Sequence, residues 1–122
     1  MATIMVVDDS AYARRTHRRI LESGGHTVAE AATGMEAIES YFLHRPDLVL
    51  LDLSMEDIGG LDVLRKLREL HADARVVVIS ADIQRSTERL VADAGALGFL
   101  GKPASPEVLL ETVATLMRGV TR

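Results

Sequence analysis

Four apolar runs in this chain each end on a polar side chain that could take part in chemistry. Residues 4–7 lead into Asp8 and Asp9, residues 48–51 into Asp52, residues 76–79 into Ser80, and residues 99–101 into Lys102. If these runs are parallel strands, their carboxyl ends lie at one edge of a sheet, where open α/β sheets bind ligands. Three carboxylates, a hydroxyl and an ammonium would then share one pocket. Such a set is suited to holding a divalent metal ion and a phosphoryl group.

The adjacent acids Asp8 and Asp9 have two explanations. An aspartate before a helix accepts hydrogen bonds from free backbone amides and favours the helix dipole, which accounts for one of them. Two carboxylates side by side raise each other's pKa. A hard divalent cation removes that conflict, because Mg²⁺ binds a few carboxylates together with water and substrate oxygens. Both explanations of this pair, helix capping and metal binding, therefore stay open.

Phosphoryl transfer to a carboxylate is the chemistry that uses all of these groups. Taken singly, Asp52, Ser80 and Lys102 are ordinary residues at strand ends, but together they match one reaction. An aspartate can attack phosphorus and form an acyl phosphate, and such a transfer needs positioning and charge stabilisation more than acid–base catalysis. We predict that Asp52, on the central strand, is the nucleophile and that Asp8 and Asp9 hold Mg²⁺ or Mn²⁺. Lys102 and Ser80 would then contact the phosphoryl oxygens.

Short apolar runs alternate with segments of helical period along the chain. Strands are expected near residues 4–7, 28–31, 48–51, 76–79 and 98–100, and helices near residues 10–21, 34–43, 61–67, 85–94 and from 105 onward. Strands that are apolar on both faces indicate a parallel sheet covered by helices on both sides. The pattern predicts a doubly wound, flavodoxin-like α/β fold with a five-stranded parallel sheet, strand order 2-1-3-4-5, and five helices.

Length and composition limit the class of protein. The 122 residues fit one domain, which we place at residues 1–122. The chain has no cysteine, which excludes disulfides and is compatible with a reducing cytoplasm. Its net charge of −4 argues against nucleic-acid binding by the chain itself, and no apolar run reaches the roughly 20 residues that cross a bilayer. We therefore expect a cytoplasmic protein without a membrane or nucleic-acid partner.

The chain resembles the receiver domain of bacterial two-component response regulators, among them the chemotaxis-type single-domain regulators. Four segments carry the resemblance, in the family's order and spacing: VVDDS at residues 6–10, LLDLSM at 50–55, VVISA at 77–81 and AGALGFLGKP at 94–103. Gly60 also falls where the family has a glycine after its phosphorylation loop. The resemblance covers essentially the whole chain and implies a phosphorylation-dependent signalling switch.

The resemblance implies a role for each residue of the acidic pocket. Asp52 would accept the phosphoryl group from a phosphohistidine on a sensor histidine kinase or a histidine phosphotransfer protein. Asp9, Asp52 and the backbone carbonyl of Ser54 would ligate Mg²⁺, while Asp8 would act mainly through a bound water. The protein would catalyse only its own phosphorylation and dephosphorylation, so it would not be an enzyme with an external substrate.

The resemblance also implies a conformational switch. Ser80 and Lys102 would contact the phosphoryl oxygens, and the ring of Phe99 would turn inward as the Ser80 hydroxyl approaches the phosphoryl group. Phe99 has no hydroxyl, unlike the tyrosine of many relatives, so packing would separate its two states. A plain core role for Phe99 stays open. The peptide bond before Pro103 is expected to be cis, which only proline makes cheap.

Two positions are expected to tune the loss of the phosphoryl group, and one loop departs from the family. By resemblance the tuning residues are Ser54 and Asp82, each two positions beyond a site residue, and Asp82 is expected to orient an attacking water. Glu56 stands where the family usually has proline after the methionine matched by Met55. We expect Glu56 and Asp57 either to make this loop more flexible and more negative, or to point into solvent.

Relatives bind their targets through the fourth helix, the fifth strand and the fifth helix, here from Arg85 to Arg118. We expect a downstream protein target to bind this region.

Three alternatives stay open. The chain could be a receiver domain cut from a larger response regulator, since it could continue past Arg122. It could be a small hydrolase that forms an aspartyl-phosphate, although Ser54 stands where such an enzyme needs an acid. It could bind a flavin, although two acids stand where a phosphate-binding loop is needed.

Overall fold

Strands and helices alternate throughout the computed structural model, which describes residues 2–55 and 57–118. The elements are β1 (Thr3–Val7), α1 (Ala11–Ser23), β2 (Thr27–Ala31), α2 (Gly34–His44), β3 (Leu48–Asp52), α3 (Gly60–Leu70), β4 (Val76–Ser80), α4 (Arg85–Asp93), β5 (Gly98–Gly101) and α5 (Pro106–Met117). Every predicted strand and helix is present, with its ends within a few residues of the expected ones.

The five strands form one parallel sheet in the order β2-β1-β3-β4-β5. This confirms the predicted topology. The register pairs Val7 with Leu51 and Asp52 with Ile79, so the carboxyl ends of β1, β3 and β4 lie side by side. The residues that follow or end these strands therefore meet at one edge of the sheet.

Alternate residues of each strand pack into two separate cores, one on each face of the sheet. Leu48 and Leu50 pack against α1 and α5, whereas Val49 and Leu51 pack against α2, α3 and α4. All residues of β3 and β4 are buried. The unbroken apolar runs of these strands thus result from burial on both faces.

The predicted helix boundaries have the expected local causes. Ser10 and Ser105 cap α1 and α5, because each hydroxyl accepts a hydrogen bond from the amide three residues further on. Gly24 ends α1, and Gly25 after it has φ of 88°, a conformation that glycine adopts without strain. α4 is the least anchored helix, since Val91 is its one buried residue.

Each of the five strands is one residue longer than the sequence pattern indicated. β3 includes Asp52 and β4 includes Ser80, so both polar residues are held by sheet pairing instead of by a loop. Glu56 and the chain end from Gly119 to Arg122, on which the sequence raised questions, lie outside the described residues. None of the helices in the described ranges has the length and apolar character of a membrane span.

Candidate functional site

Three carboxylates converge at the carboxyl edge of the sheet. One oxygen from each of Asp8, Asp9 and Asp52 lies within 4.8 Å of the other two. Asp8 and Asp52 are 1% and 4% exposed, whereas Asp9 is exposed to solvent. The arrangement has the size and the oxygen donors of a site for a hard divalent ion, as the sequence predicted.

The backbone around Asp8 is held by two neighbouring elements. Its amide donates to the carbonyl of Ala31 at the end of β2, at 3.1 Å. Its carbonyl accepts a hydrogen bond from Nη1 of Arg14, one turn into α1, at 2.6 Å, while Nε of Arg14 pairs with Glu30 at 3.1 Å. Sequence reasoning missed Arg14, because nothing in the local pattern distinguishes it from the other arginines of α1.

Lys102 brings a positive charge to the cluster. Its Nζ atom donates to Oδ2 of Asp8 at 2.7 Å and lies 3.7 Å from Oδ2 of Asp52. Its backbone amide donates to the carbonyl of Ser80 at 2.9 Å, and the peptide bond between Lys102 and Pro103 is cis. Burial opposes the charged form of Lys102, but the hydrogen bond to Asp8 and the charge of Asp52 hold its pKa above the ordinary value.

The carboxylate of Asp52 is only weakly engaged by the protein. Its Oδ1 atom accepts a long hydrogen bond of 3.4 Å from the amide of Ser54, and its other oxygen is 3.7 Å from Lys102. Burial, followed by the charge of Asp8, raises the pKa of Asp52 above its usual value. A buried anion that lacks a close partner is both a suitable nucleophile and a group that a cation would stabilise.

The carboxylates line a pocket of about 460 Å³ at this edge of the sheet. Its lining is mostly polar or charged and consists of Asp8, Asp9, Ser10, Asp52, Ser54, Met55, Ala81 and Lys102. Asp9, Ser10 and Ser54 are exposed, so the pocket is open to solvent. Ser54 and Ala81 contribute small side chains to its lining.

The two predicted switch residues, Ser80 and Phe99, do not line the pocket in this conformation. The Ser80 hydroxyl is buried and accepts a hydrogen bond from the amide of Asp82 at 3.0 Å. The carboxylate of Asp82 in turn accepts from the amide of Gln84 at 3.1 Å and from the hydroxyl of Thr87 at 2.7 Å. Phe99 is partly buried on β5 and packs against the core formed with α2, α3 and α4. In this conformation the Asp82 carboxylate is held by two residues at the start of α4.

The loop between β3 and α3 is tied down more firmly than the sequence suggested. Asp57, expected to be flexible or to point into solvent, accepts hydrogen bonds from the first two amides of α2, those of Gly34 and Met35. Asp57 is exposed, as one of the two expectations had it, but these hydrogen bonds contradict the other expectation, that it makes the loop more flexible. At Gly60 a methyl group would lie 2.6 Å from the carbonyl oxygen of Asp52, which explains why a glycine follows this loop.

The fold and the pocket together define a doubly wound α/β domain with an acidic, lysine-containing site at the switch point of its sheet. A family model described as the response regulator receiver domain matches residues 4–114. The chain belongs to this family. Receiver domains are phosphorylation switches of two-component systems, not classical enzymes, and they bind Mg²⁺ at an acidic pocket.

Individual relatives agree with this assignment. The chain is 37% identical over 111 residues to the chemotaxis protein CheY of Bacillus subtilis, covering 90% of this chain and 92% of that protein. It is 38% identical over 118 residues to the nitrate/nitrite response regulator NarP of Escherichia coli, covering 95% of this chain but 55% of that protein. A solved CheX–CheY–BeF₃–Mg complex from Borrelia burgdorferi matches with a TM-score of 0.91 and 30% identity, covering 94% of this chain and 88% of that chain.

Proposed function

We propose that this protein is a phosphorylation-dependent switch in which Asp52 accepts a phosphoryl group from a sensor histidine kinase or a histidine phosphotransfer protein. The main support is the state of the Asp52 carboxylate, which is buried beside Asp9 and Lys102 yet makes no close hydrogen bond among the described residues. Such a carboxylate has a free lone pair for attack on phosphorus and a cation close by to balance the charge that arrives.

In the transfer, one carboxylate oxygen of Asp52 forms a P–O bond as the P–N bond of the donor phosphohistidine breaks. The electron pair of the broken bond leaves with the imidazole, which takes up a proton from solvent. Lys102 lies where its ammonium can move from Asp8 toward the incoming phosphoryl oxygens, since it already reaches within 3.7 Å of Asp52. The Ser80 hydroxyl, which accepts a hydrogen bond from the Asp82 amide in this conformation, would donate one to another phosphoryl oxygen.

The donor set fits Mg²⁺, or Mn²⁺ in its place. Asp9, Asp52 and the backbone carbonyl of Ser54 would ligate the ion directly, all through oxygen, as hard cations require. Both oxygens of Asp8 already accept hydrogen bonds, from the Ser10 amide at 2.9 Å and from Lys102, so Asp8 would act through a bound water. When bound, the ion supplies charge neutralisation at a phosphoryl oxygen.

The output would be a changed surface between Arg85 and Arg118. An open groove of about 370 Å³ lies between β5 and α5, and Phe99 lines it together with Leu97 and Val108, which are largely exposed. If Phe99 turns inward after phosphorylation, the shape of this groove changes, which a protein partner can read. The Borrelia relative, solved as a complex of CheY with CheX, supports a protein as the downstream target.

The functional unit proposed is a single receiver domain, residues 1–122, acting in the cytoplasm. It would catalyse its own phosphorylation and dephosphorylation, with Ser54 and Asp82 tuning the hydrolysis. It would bind neither nucleic acid nor a membrane by itself. Because the chain matches only about half of NarP, the alternative that the domain works within a longer response regulator stays open.

Acetyl phosphate, a small phosphodonor, tests this function directly. The wild type, Asp52→Asn and the control Asp62→Asn, which changes an exposed acid of α3, are incubated with acetyl phosphate with and without Mg²⁺. Intact mass is then measured. We expect one added phosphoryl group on the wild type and the control, only with Mg²⁺, and none on Asp52→Asn. No addition to the wild type, or full addition to Asp52→Asn, contradicts the proposal, and steady release of phosphate would favour a hydrolase.

A further inference from the structure

The carboxylate of Asp57 links the loop after β3 to the N-terminus of α2. Its Oδ1 atom accepts a hydrogen bond from the amide of Gly34 at 2.9 Å, and its Oδ2 atom accepts one from the amide of Met35 at 3.1 Å. The amides of Gly34, Ile58 and Met35 lower the pKa of Asp57. Asp57 is therefore charged at neutral pH and bound with both oxygens across more than twenty residues of sequence.

The N-terminus of α2 needs this outside partner. The first amides of a helix have no acceptor within the helix. Thr33, the N-cap of α2, accepts a hydrogen bond from the amide of Glu36 at 3.0 Å, which leaves the first two amides to be satisfied by another group. Asp57 supplies both acceptors, and its negative charge also matches the positive end of the helix dipole.

The same loop packs tightly on α2 and is closed at its base. A methyl group at Gly34 would lie 2.9 Å from Cβ of Ile58 and 2.9 Å from Cγ2 of Val63, so loop and helix are in direct contact. The amide of Gly60 donates to the carbonyl of Leu53 at 3.0 Å and closes the loop where it returns to the sheet. Leu53 and Asp57, on either side of Ser54 in the sequence, are thus both held by hydrogen bonds.

We propose that Asp57 is a positioning residue for the phosphoacceptor site: by fixing the loop to α2, it holds the backbone carbonyl of Ser54 where a divalent ion needs it. This rests on the proposed function, in which Ser54 and Asp52 share that ion. Gly59, the N-cap of α3, has no side chain to do this from the other end of the loop. Among the described loop residues, Asp57 alone ties the loop to α2 through side-chain hydrogen bonds.

The test measures Mg²⁺ affinity by calorimetry in three variants of the full chain. Asp57→Ala should raise the Mg²⁺ dissociation constant by about 10-fold, the lower end of the effect of losing a residue that orients a ligand. Asp57→Asn keeps one acceptor oxygen and should stay within about 3-fold of wild type. Thr33→Ala removes the other cap of the same helix, so it should lower the thermal midpoint without changing Mg²⁺ affinity.

A charge control separates positioning from simple electrostatics. Asp62→Asn removes a negative charge next to the same loop without removing a tie to α2, and it should leave the dissociation constant unchanged. Wild-type affinity in Asp57→Ala, or equal weakening in Thr33→Ala, Asp57→Asn or Asp62→Asn, overturns the inference. Labelling of the wild type by acetyl phosphate is measured in the same experiments. If the inference about Asp57 fails but the wild type is labelled, the proposed function still stands. If the wild type is not labelled, the proposed function itself is contradicted.

Discussion

The ammonium of Lys102 donates a hydrogen bond to Asp8 at 2.7 Å while it lies 3.7 Å from the carboxylate of Asp52. One cation is thus shared unequally between two buried acids. Asp8 receives the close contact, and Asp52 keeps its lone pairs free. The unequal sharing ties the stability of the domain and the reactivity of Asp52, the proposed phosphoacceptor, to the same side chain.

Removing the ammonium should therefore damage both properties. In Lys102→Met the buried charge of Asp8 loses its partner, and the free energy of unfolding should fall by about 2–3 kcal/mol, somewhat less than for a fully buried pair because Lys102 is partly exposed. Labelling by acetyl phosphate should slow by about 100-fold, since a charge that stabilises the transferring group is lost. Urea unfolding without Mg²⁺ and timed intact-mass measurements check the two effects.

Lys66→Met is the matched control for Lys102→Met. Lys66 lies on the exposed face of α3, 3.9 Å from Glu69, and its loss should change the free energy of unfolding by less than about 0.5 kcal/mol. If Lys102→Met unfolds at the same urea concentration as Lys66→Met, then Asp8 is not stabilised by the ammonium and the description of the pair is wrong.

Gly60 should be intolerant of a side chain, because it lies directly against the end of β3, which carries Asp52. A methyl group there would lie 2.6 Å from the carbonyl oxygen of Asp52 and from Cα of Leu53, which are backbone atoms that cannot turn aside. We expect Gly60→Ala to lower the free energy of unfolding by about 2 kcal/mol and to slow phosphorylation by moving Asp52. Urea unfolding and acetyl phosphate labelling measure the two effects.

The neighbouring glycine provides the comparison. A methyl group at Gly59 would have 4.0 Å to its nearest neighbour, a carboxylate oxygen of Asp62. Gly59→Ala should therefore cost less than about 1 kcal/mol, mainly through its position as a helix cap, and should be phosphorylated at the wild-type rate. Equal effects of the two substitutions would mean that close contact at Gly60 is not the cause.

Local patterns were sufficient to predict most of the fold and the placement of the carboxylates. Asp8, Asp52 and Lys102 each follow or end an apolar run, and a parallel sheet brings such ends together whatever the details of the loops. The caps Ser10 and Ser105 were equally readable, because a cap acts within three residues of itself.

The supporting contacts could not be read from the sequence, because they depend on which distant segments touch. Arg14 binds the carbonyl of Asp8 only because α1 folds back over the end of β1. Asp57 reaches the amides of Gly34 and Met35 only because the loop after β3 lies on α2. In sequence, both residues are indistinguishable from ordinary charged surface residues.

His17 is a buried polar residue with a predictable effect on pH dependence. It is 5% exposed, and its Nδ1 atom has no hydrogen-bond partner among the described residues. Burial lowers the pKa of His17 below 6.5, opposed by Asp8 and aided by Lys102. Because the folded state disfavours the charged imidazole of His17, stability that is present above pH 6.5 is lost as the pH falls below this value.

We expect His17→Leu to reduce this loss of stability at acid pH. Between pH 7.5 and pH 5.5, values chosen about one unit on either side of the ordinary histidine pKa, the free energy of unfolding should fall less in the variant than in the wild type. At the higher pH the variant should also be more stable by about 1 kcal/mol, because a buried nitrogen without a partner is removed. An identical pH profile for His17→Leu and wild type would contradict the assignment.

Asp82 is held toward α4 by Thr87 and Gln84, which also lower its pKa. If Asp82 orients the water that hydrolyses the acyl phosphate, its hydrogen bonds to Thr87 and Gln84 compete with that role. Thr87→Val removes one hydrogen bond with little change in side-chain shape, so the phosphoryl label should be lost about 3-fold faster. A change of this size in rate corresponds to the free energy of one hydrogen bond. Asp82→Ala should lose the label more slowly than wild type, and the control Ser86→Ala at the wild-type rate. Time courses of intact mass after removal of acetyl phosphate give all three rates. Label loss that is unchanged in both Thr87→Val and Asp82→Ala would show that Asp82 takes no part in the hydrolysis.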